Sequence, residues 1–151
     1  MLFFLIILGF QTALFKGYYR WDDPLIYHNN FSKDQRIMIF LSDKLFTEFD
    51  EISKTVNTYT KPTDAIYVNS FTPIIYFIAN RPEATQQNFL SSGIDEKQFY
   101  SEVVNNLEGK RVKLIFLNHN SIDTLPIKEY LKTNYLFLKR IGDNDVYKRR
   151  Q

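Results

Sequence analysis

The stretch Lys61–Gln86, KPTDAIYVNSFTPIIYFIANRPEATQ, places a strand pattern shortly before a helix pattern. Ala65–Asn69 is a short apolar run rich in β-forming residues, which is typical of a buried strand. Thr72 and Pro73 supply an N-cap residue and a proline at the first helical position, so we expect a helix over Ile74–Ala79. Nucleotide-binding folds often begin with such a unit, but the glycine-rich turn that holds a phosphate is missing here. The stretch therefore predicts a βα unit that builds a sheet.

The alternation of helix and strand continues toward the C-terminus. Asp95 and Gln98 form a capping-box-like pair, and Gly109 is placed to end the helix that this pair opens. Val112–Leu117 is a second apolar run, predicted to be a buried strand. A short helix is predicted over Ile127–Thr133. Strands that alternate with helices in this way favour a parallel sheet, because parallel strands need crossover connections.

The C-terminal end carries a hairpin signal. Tyr135–Arg140 and Asp145–Arg149 are strand-like runs that flank Gly142-Asp143-Asn144. We therefore predict an α/β fold, a mostly parallel sheet with flanking helices and a C-terminal antiparallel hairpin, preceded by one membrane helix. The residues predicted to be buried in adjacent strands are Ile66, Val68, Ile115 and Leu117.

An amphipathic helix is predicted before the first strand. Apolar residues recur at steps of three or four between residues 37 and 59, which marks one helical face. A capping-box pattern at Ser32–Gln35 opens it, and Ser42-Asp43 offers a second start, so the pattern fits one helix or two. The helix should end before Pro62, since the residue before a proline disfavours helical geometry.

The N-terminus predicts a membrane span. Its first 15 residues, MLFFLIILGFQTALF, carry no charge, and an aromatic cluster, YYRW, follows at Tyr18–Trp21. A spanning helix needs about 20 residues, with a lower limit of about 17, and aromatic residues are enriched at membrane interfaces. The alternative is a buried core helix. The predicted divisions are a transmembrane helix over 1–19, which could be the last span of a longer protein, a linker and amphipathic helix over 20–60, and a soluble α/β domain over 61–151.

The composition limits the function classes. The chain has 19 basic and 17 acidic residues, a formal net charge of +2, and this balance argues against a nucleic-acid partner. It has no cysteine, which excludes disulfides, thiolate metal sites and cysteine nucleophiles. Its two histidines are far apart and form no metal motif, and no phosphate-loop or nucleophile motif is present. We therefore expect no cofactor, no metal site and no catalytic residue in this chain.

Polar residues follow the two predicted parallel strands, at the sheet edge where α/β proteins bind ligands. Asn69 and Ser70 follow the first strand, and His119 lies in the asparagine-rich loop after the second. Arg81 lies in the loop Asn80–Gly93, which is longer than most connections. These four are candidate substrate-binding residues. The alternatives are turn residues that satisfy backbone groups, a solvated loop histidine, and a cation at a helix C-terminus.

Residues on both sides of the first strand match one pattern, Thr-Lys-Pro-x-Asp-x-Ile, then an apolar Tyr-containing helix, then Arg-Pro: Thr60, Lys61, Pro62, Asp64, Ile66, Tyr76, Arg81 and Pro82. With this pattern the chain resembles the C-terminal soluble region of polytopic membrane glycosyltransferases related to the dolichyl-phosphate-mannose protein mannosyltransferases. The resemblance covers about the whole chain, including the apolar start. The catalytic acidic residue of that family lies in an early loop to which nothing here corresponds.

The resemblance implies a non-catalytic C-terminal domain, accessory or on the acceptor side, of a polyprenyl-phosphate-sugar-dependent membrane glycosyltransferase. The implied partners are membrane lipid and, through the complete enzyme, the polyprenyl-phosphate sugar and its acceptor. The implied location is the membrane, with the soluble domain on the extracytoplasmic side. The alternative is a stand-alone membrane-anchored binding domain without enzymatic activity.

Overall fold

The computed structural model of the chain describes residues 30–31, 40–69, 73–85, 95–120 and 126–150. The chain divides into two compact units, residues 1–50 and 51–151. The strands are β1 (Asn30–Phe31), β2 (Phe40–Leu41), β3 (Tyr67–Asn69), β4 (Leu114–Asn118), β5 (Tyr135–Ile141) and β6 (Asn144–Arg149). The helices are α1 (Asp43–Tyr59), α2 (Ile74–Ala79), α3 (Glu96–Gly109) and α4 (Lys128–Asn134).

The first unit contains a short antiparallel pair, β1 with β2. Asn30 lies opposite Leu41, and the side-chain amide Nδ2 of Asn30 donates a hydrogen bond to Oδ1 of Asp43. Helix α1 begins at Asp43, directly after Ser42, as expected from the second predicted start, and the first predicted start, Ser32–Gln35, lies outside the described residues. The prediction of helix over residues 40–41 is wrong, because strand pairing with β1 takes up their backbone groups.

The predicted transmembrane helix, residues 1–19, lies outside the described residues. Within the described part of the chain, no helix is both long enough and apolar enough to cross a membrane. The longest described helix, α1, has 17 residues and an amphipathic sequence with several charged side chains. Among the described residues, therefore, no membrane helix precedes the sheet.

The second unit is built on a four-stranded mixed sheet in the order β3-β4-β6-β5. β3 and β4 are parallel, whereas β4 with β6 and β6 with β5 are antiparallel. The prediction of a mostly parallel sheet is therefore wrong, since two of the three pairings are antiparallel. The reason is the position of the hairpin. Its second strand, β6, inserts between β4 and β5, and so separates two strands that run in the same direction.

One face of the sheet packs against α3 and α4. The register places Tyr67, Ile115 and Tyr147 side by side on this face. Each fully buried apolar side chain of this kind stabilises the fold by about 1.5–3 kcal/mol relative to an exposed one. The helix side chains buried in the same cluster are Phe99, Val103 and Leu107 of α3 and Leu131 of α4.

The opposite face of the sheet is buried as well. Side chains alternate along a strand, so Val68, Phe116 and Val146 point away from α3 and α4, and all three are buried. A sheet covered on both faces explains why its central strand, LIFLN, is a continuous apolar run rather than an alternating one. The prediction of burial is confirmed for Ile66, Val68, Ile115 and Leu117.

Candidate functional site

Polar side chains gather at the end of the sheet where β3 and β4 finish. Asn69 is the last residue of β3, Asn118 is the last residue of β4, and His119 follows it. Because β6 runs antiparallel to β4, it begins at this same end, with Asn144 opposite Asn118 and Asp145 next to it. The pairing of the strands therefore adds residues of the hairpin to the edge at which the sequence predicts a ligand site.

Three side chains form a hydrogen-bonded cluster at this edge, which we call the polar cluster: His119, Arg140 and Asp145. Nδ1 of His119 lies 2.8 Å from Oδ2 of Asp145, and Nε of Arg140 donates to Oδ1 of Asp145 over 2.7 Å. Nη2 of Arg140 lies 2.6 Å from the same histidine Nδ1. The Asp145 side chain is 6% exposed, whereas those of His119 and Arg140 are 44% and 49% exposed. A buried carboxylate thus orients two exposed side chains.

The imidazole nitrogen Nδ1 of His119 has two competing neighbours. When Nδ1 carries a hydrogen, it can donate to Asp145; when it holds a lone pair, it can accept from Arg140. The protonation and tautomer of His119 therefore decide whether its Nδ1 bonds to Asp145 or to Arg140. The other ring nitrogen, Nε2, has no hydrogen-bond partner among the described residues and is available to a hydroxyl or an anionic oxygen of a ligand.

The partners of Asp145 keep its carboxyl group ionised. Burial raises the pKa of this carboxyl, but the hydrogen bonds from His119 and Arg140, together with their charges, outweigh burial and hold the pKa below its ordinary value of 3.8. Asp145 is therefore negatively charged at neutral pH and serves as an acceptor for both neighbours.

Neither Arg140 nor Asp145 is among the site residues predicted from the sequence, where Asp145 begins the second strand of the predicted hairpin. The hairpin sequence contains a signal from which the Arg140–Asp145 pair could be predicted. The loop Gly142-Asp143 has two residues, so the residues two positions before and after it lie opposite each other. These residues are Arg140 and Asp145, and opposite charges that face each other across strands attract.

Asn69 lies at the same edge but is not part of the polar cluster. It is opposite Leu117, which in turn is opposite Asp145, so the backbones of Asn69 and Asp145 are separated by two strand spacings, about 10 Å. Ser70 lies outside the described residues. Asn144 is buried, and its side-chain oxygen has no hydrogen-bond partner among the residues that the structure describes.

Arg81 lies at the opposite end of β3. The carbonyl of the next residue, Pro82, accepts a 3.1 Å hydrogen bond from the amide of Ile66. Ile66 precedes Asn69 by three residues, a distance of about 10 Å along a strand. The structure therefore does not bring Arg81 together with Asn69 and His119.

The Arg81 side chain is buried, and all five of its N–H groups donate to oxygen atoms of the protein. Nε donates to the Thr60 hydroxyl over 2.9 Å, and Nη2 donates to Oδ1 of Asn57 over 2.9 Å and to the Thr60 carbonyl over 3.3 Å. Nη1 donates to the carbonyls of Ala79 and Asn80, each over 3.1 Å. Arg81 therefore joins the C-terminal ends of α1 and α2, as the helix-end alternative describes.

Substrate binding by the four candidate residues stays a prediction.

Within the residues that the structure describes, no group of three or more His, Asp or Glu side chains is arranged to hold a metal ion. The expectation that the whole chain has no metal site stays a prediction, because the finding covers only those residues.

Comparisons with known proteins gave a similarity among solved structures. No protein-family profile and no curated protein matches the sequence. Among solved structures, the chain is similar to the crystal structure of the C-terminal globular domain of an oligosaccharyltransferase from Archaeoglobus fulgidus, with 11% sequence identity and a TM-score of 0.45. The match covers 74% of this chain and 100% of that one. No comparison points to a mannosyltransferase in particular, and a similarity of this size assigns no family to the chain.

Proposed function

We propose that this chain is a non-catalytic accessory domain, on the acceptor side, of a membrane glycosyltransferase that uses a polyprenyl-phosphate-linked sugar. The proposal rests on the structural role of the residues through which the sequence resembles that family. These residues form hydrogen bonds that fix the start and the outer edge of β3, so they act as scaffold rather than as chemical groups.

Asp64 fixes the turn that leads into β3. Its Oδ2 accepts a 2.7 Å hydrogen bond from the amide of Lys61 and lies 2.7 Å from Nζ of Lys113. The hydrogen bond from Lys113, followed by that from the Lys61 amide, lowers the pKa of Asp64. Both partners therefore hold the carboxylate in an ionised, structural role.

The outer edge of β3 is closed by two other members of the pattern, Tyr76 and Pro82. The Val68 amide donates to the Tyr76 hydroxyl over 2.8 Å. The Ile66 amide donates to the Pro82 carbonyl, and the Ile66 carbonyl accepts from Ala84 over 2.9 Å, which forms a parallel bridge along the strand. Peptide groups that would otherwise be unpaired at a sheet edge are satisfied in this way.

The residues of the pattern form hydrogen bonds within the domain. Such a pattern fits a scaffold domain that the members of a family share. The polar cluster offers the complementary property, since its imidazole and guanidinium groups are exposed and can hydrogen-bond a sugar hydroxyl or a phosphate. The proposal therefore gives binding to the polar cluster and leaves bond making and breaking to another part of the enzyme.

Two measurements test this proposal. The full chain alone, in vesicles with a polyprenyl-phosphate mannose donor and a serine- and threonine-rich acceptor peptide, should transfer no sugar, and turnover would overturn the non-catalytic role. The tagged full chain, purified in detergent from the membranes of its own cells, should carry sugar-transfer activity from polyprenyl-phosphate donors into the eluate. An inactive eluate, together with no polytopic membrane region encoded in frame upstream, would favour the stand-alone binding domain instead.

Variants of the polar cluster sharpen the second measurement. The double variant His119→Ala, Arg140→Ala should lower transfer per recovered enzyme at least fivefold, because both exposed donors are removed. The matched control Lys97→Ala removes one exposed cation of α3, away from the polar cluster, and should leave transfer unchanged. Equal transfer by both variants would contradict a binding role for the cluster.

A further inference from the structure

Basic residues collect at the end of the sheet that lies opposite the polar cluster. β3, β4 and β5 begin at this end and β6 finishes there, and Arg149 follows Asp145 by four residues, about 14 Å along β6. We call this end of the sheet, together with the turns and helix ends beside it, the basic end. Its basic residues are Lys61, Lys110, Arg111, Lys113, Lys132, Lys148, Arg149 and Arg150.

Contacts between neighbouring segments bring these residues together. Nζ of Lys113 lies 2.7 Å from Oδ2 of Asp64, and the same oxygen accepts a hydrogen bond from the amide of Lys61. The amide of Arg149 donates to the carbonyl of Lys113 over 2.9 Å, and the amide of Arg150 donates to a carbonyl at the end of α4 over 2.8 Å. Cations from four separate segments are therefore held at one end of the sheet.

Five of the eight cations form no ion pair among the residues that the structure describes. Lys61 and Arg111 are exposed, and no described group is hydrogen-bonded to their side chains. Nζ of Lys110 donates to two backbone carbonyls, and Nη2 of Arg150 donates to one. Nζ of Lys148 lies 5.1 Å from the centre of an aromatic ring. Because these contacts are with neutral groups, the five positive charges are not compensated.

Acidic residues at the basic end are too few to balance the cations. They are Asp64, Glu83, Glu108 and Glu129. The basic end thus holds eight of the 19 basic residues of the chain and four of its 17 acidic ones. This local excess of positive charge is larger than the net charge of +2 of the whole chain, so the remainder of the chain is net negative.

Two large apolar side chains are exposed beside these cations. Leu136 and Phe137, the second and third residues of β5, are 48% and 56% exposed. Leu136 lies opposite Lys148, so an apolar side chain and an unpaired cation share one face of the sheet. Surfaces that bind anionic bilayers combine lysine and arginine with leucine and phenylalanine, because the cations attract lipid phosphates while the apolar groups enter the boundary of the acyl chains. Phosphates of a nucleic acid would attract the cations but leave Leu136 exposed.

We propose that the basic end binds the surface of an anionic lipid bilayer, with Leu136 and Phe137 entering the headgroup region. The choice of a membrane as the occupant rests in part on the proposed function, which places the chain in a membrane enzyme. In this orientation the polar cluster lies at the far end of the sheet and faces water. It would then meet a sugar hydroxyl of the acceptor rather than a lipid phosphate.

A fluorescent label at each end of the domain tests the orientation in the full chain, which has no cysteine of its own. Leu136→Cys carries a bimane label at the basic end, and Lys97→Cys carries it in the first turn of α3. Both are mixed with vesicles of equimolar phosphatidylcholine and phosphatidylglycerol that contain a headgroup-level doxyl quencher. Quenching should be at least threefold stronger at position 136, and this difference should vanish in phosphatidylcholine alone. Equal quenching at both positions, or the same difference without phosphatidylglycerol, would overturn the proposal.

Charge reversal tests the cations separately. In the chain labelled at position 136, the double variant Lys61→Glu, Arg111→Glu should lower quenching at least threefold. The matched double variant Lys44→Glu, Lys97→Glu changes the net charge equally at exposed positions outside the basic end and should leave quenching unchanged. Equal losses would show that only net charge matters and would overturn the assignment. If the first variant does not fold, sodium chloride at about 1 M should abolish the quenching difference of the native charges, and a difference insensitive to salt excludes the proposal.

Nucleic acid is the other occupant that an excess of cations attracts. If the full chain shows no quenching difference but binds polyuridylic acid, and Lys61→Glu, Arg111→Glu abolishes that binding, the basic end belongs to nucleic acid and the membrane is wrong. These measurements contain no sugar donor, acceptor or catalytic partner. A failure of the lipid contact is therefore distinguishable from a failure of the glycosyltransferase proposal, which is measured by sugar transfer.

Discussion

The two edges of the sheet use their peptide groups in different ways. At the β3 edge, the Val68 amide is bonded to the Tyr76 hydroxyl, and Ile66 pairs with the segment around Glu83. At the β5 edge, the outward peptide groups of Phe137 have no partner among the described residues, and the Phe137 side chain is exposed. The recognisable sequence pattern lies at the closed edge, whereas no motif marks the open one. A pattern in the sequence thus marks an edge where the fold is fixed by hydrogen bonds, and it does not mark every edge of the sheet.

The largest effect is expected at the closed edge, from Arg81→Ala. The change removes five hydrogen bonds and takes the donor from buried acceptors on Thr60 and Ala79, so the free energy of unfolding should fall by about 3 kcal/mol. Urea denaturation followed by circular dichroism measures the loss. The control Lys97→Ala, at an exposed position of α3, should change it by less than about 0.5 kcal/mol. Similar small losses for both variants would contradict the joining role of Arg81.

Threonine substitutions compare the two edges directly. Val68→Thr places a hydroxyl in the buried β3 edge and should cost about 2 kcal/mol, because that group has no ready partner. Leu136→Thr, at the exposed β5 edge, should cost less than about 0.5 kcal/mol. Thermal melts of the two variants check this difference. Equal costs would show that the edges are equally buried in solution.

A pair of tyrosines separates a bonded hydroxyl from an unbonded one. Tyr76→Phe removes the acceptor of the Val68 amide and should lower the free energy of unfolding by about 1 kcal/mol or slightly more. Tyr67→Phe, in the same strand region, removes a buried hydroxyl that has no hydrogen-bond partner and should be neutral or slightly stabilising. Denaturant titration distinguishes them, and a larger loss for Tyr67→Phe would contradict the assigned hydrogen bonds.

The smallest effect is expected from a change in Asp145, which bonds Arg140 of β5 and His119 at the end of β4. Asp145 has a lowered pKa in the folded state, so its ionised form stabilises the fold above the unfolded-state pKa of about 3.9, and this contribution is lost as pH falls through the folded-state pKa. Asp145→Asn should cost about 1 kcal/mol at pH 7 and less at pH 3. Melting temperatures of both proteins at the two pH values test this. A gap that stays constant would exclude Asp145 as the titrating group.

Local features were predictable from the sequence because their causes lie within a few residues. The carboxylate of Asp95 accepts a hydrogen bond from the Gln98 amide over 2.8 Å, as the capping pattern predicts. The hairpin turn lies in the predicted segment Gly142-Asp143-Asn144, where the glycine adopts a φ of 55°, although Asn144 already belongs to β6. The buried runs around Val68 and Ile115 follow from their apolar character.

The sheet order was not predictable from the same signals. Alternation of helix and strand indicates that β3, β4 and β5 run in the same direction, and the pairings agree with that direction. The pattern does not say which strand of the hairpin lies next to β4. Both strands of the hairpin suit a sheet, and only the packing of the whole unit places β6 in the interior.

The candidate site also has a part that was predictable from local sequence and a part that depends on the tertiary fold. His119 was predicted because it directly follows a strand, but its partner Asp145 lies 26 residues further along the chain. The acceptors of Arg81 on Asn57 and Thr60 lie 24 and 21 residues before it. Contacts at such separations depend on the tertiary fold, which explains why Arg81 was predicted as a ligand group and the polar cluster was only partly predicted.

Arg81 also gives the molecule a joint between two helices whose hydrogen bonds acid does not neutralise. Its hydrogen bonds reach the carbonyls of Thr60, Ala79 and Asn80, at the C-termini of α1 and α2, where helix dipoles are negative. One guanidinium is thus the counter-ion of two helices, and none of its bonded acceptors is a carboxylate that acid could neutralise. The polar cluster at the other end of the sheet depends on the charge of Asp145. As the pH falls, the polar cluster should therefore lose its hydrogen bonds while the joint between the two helices still holds.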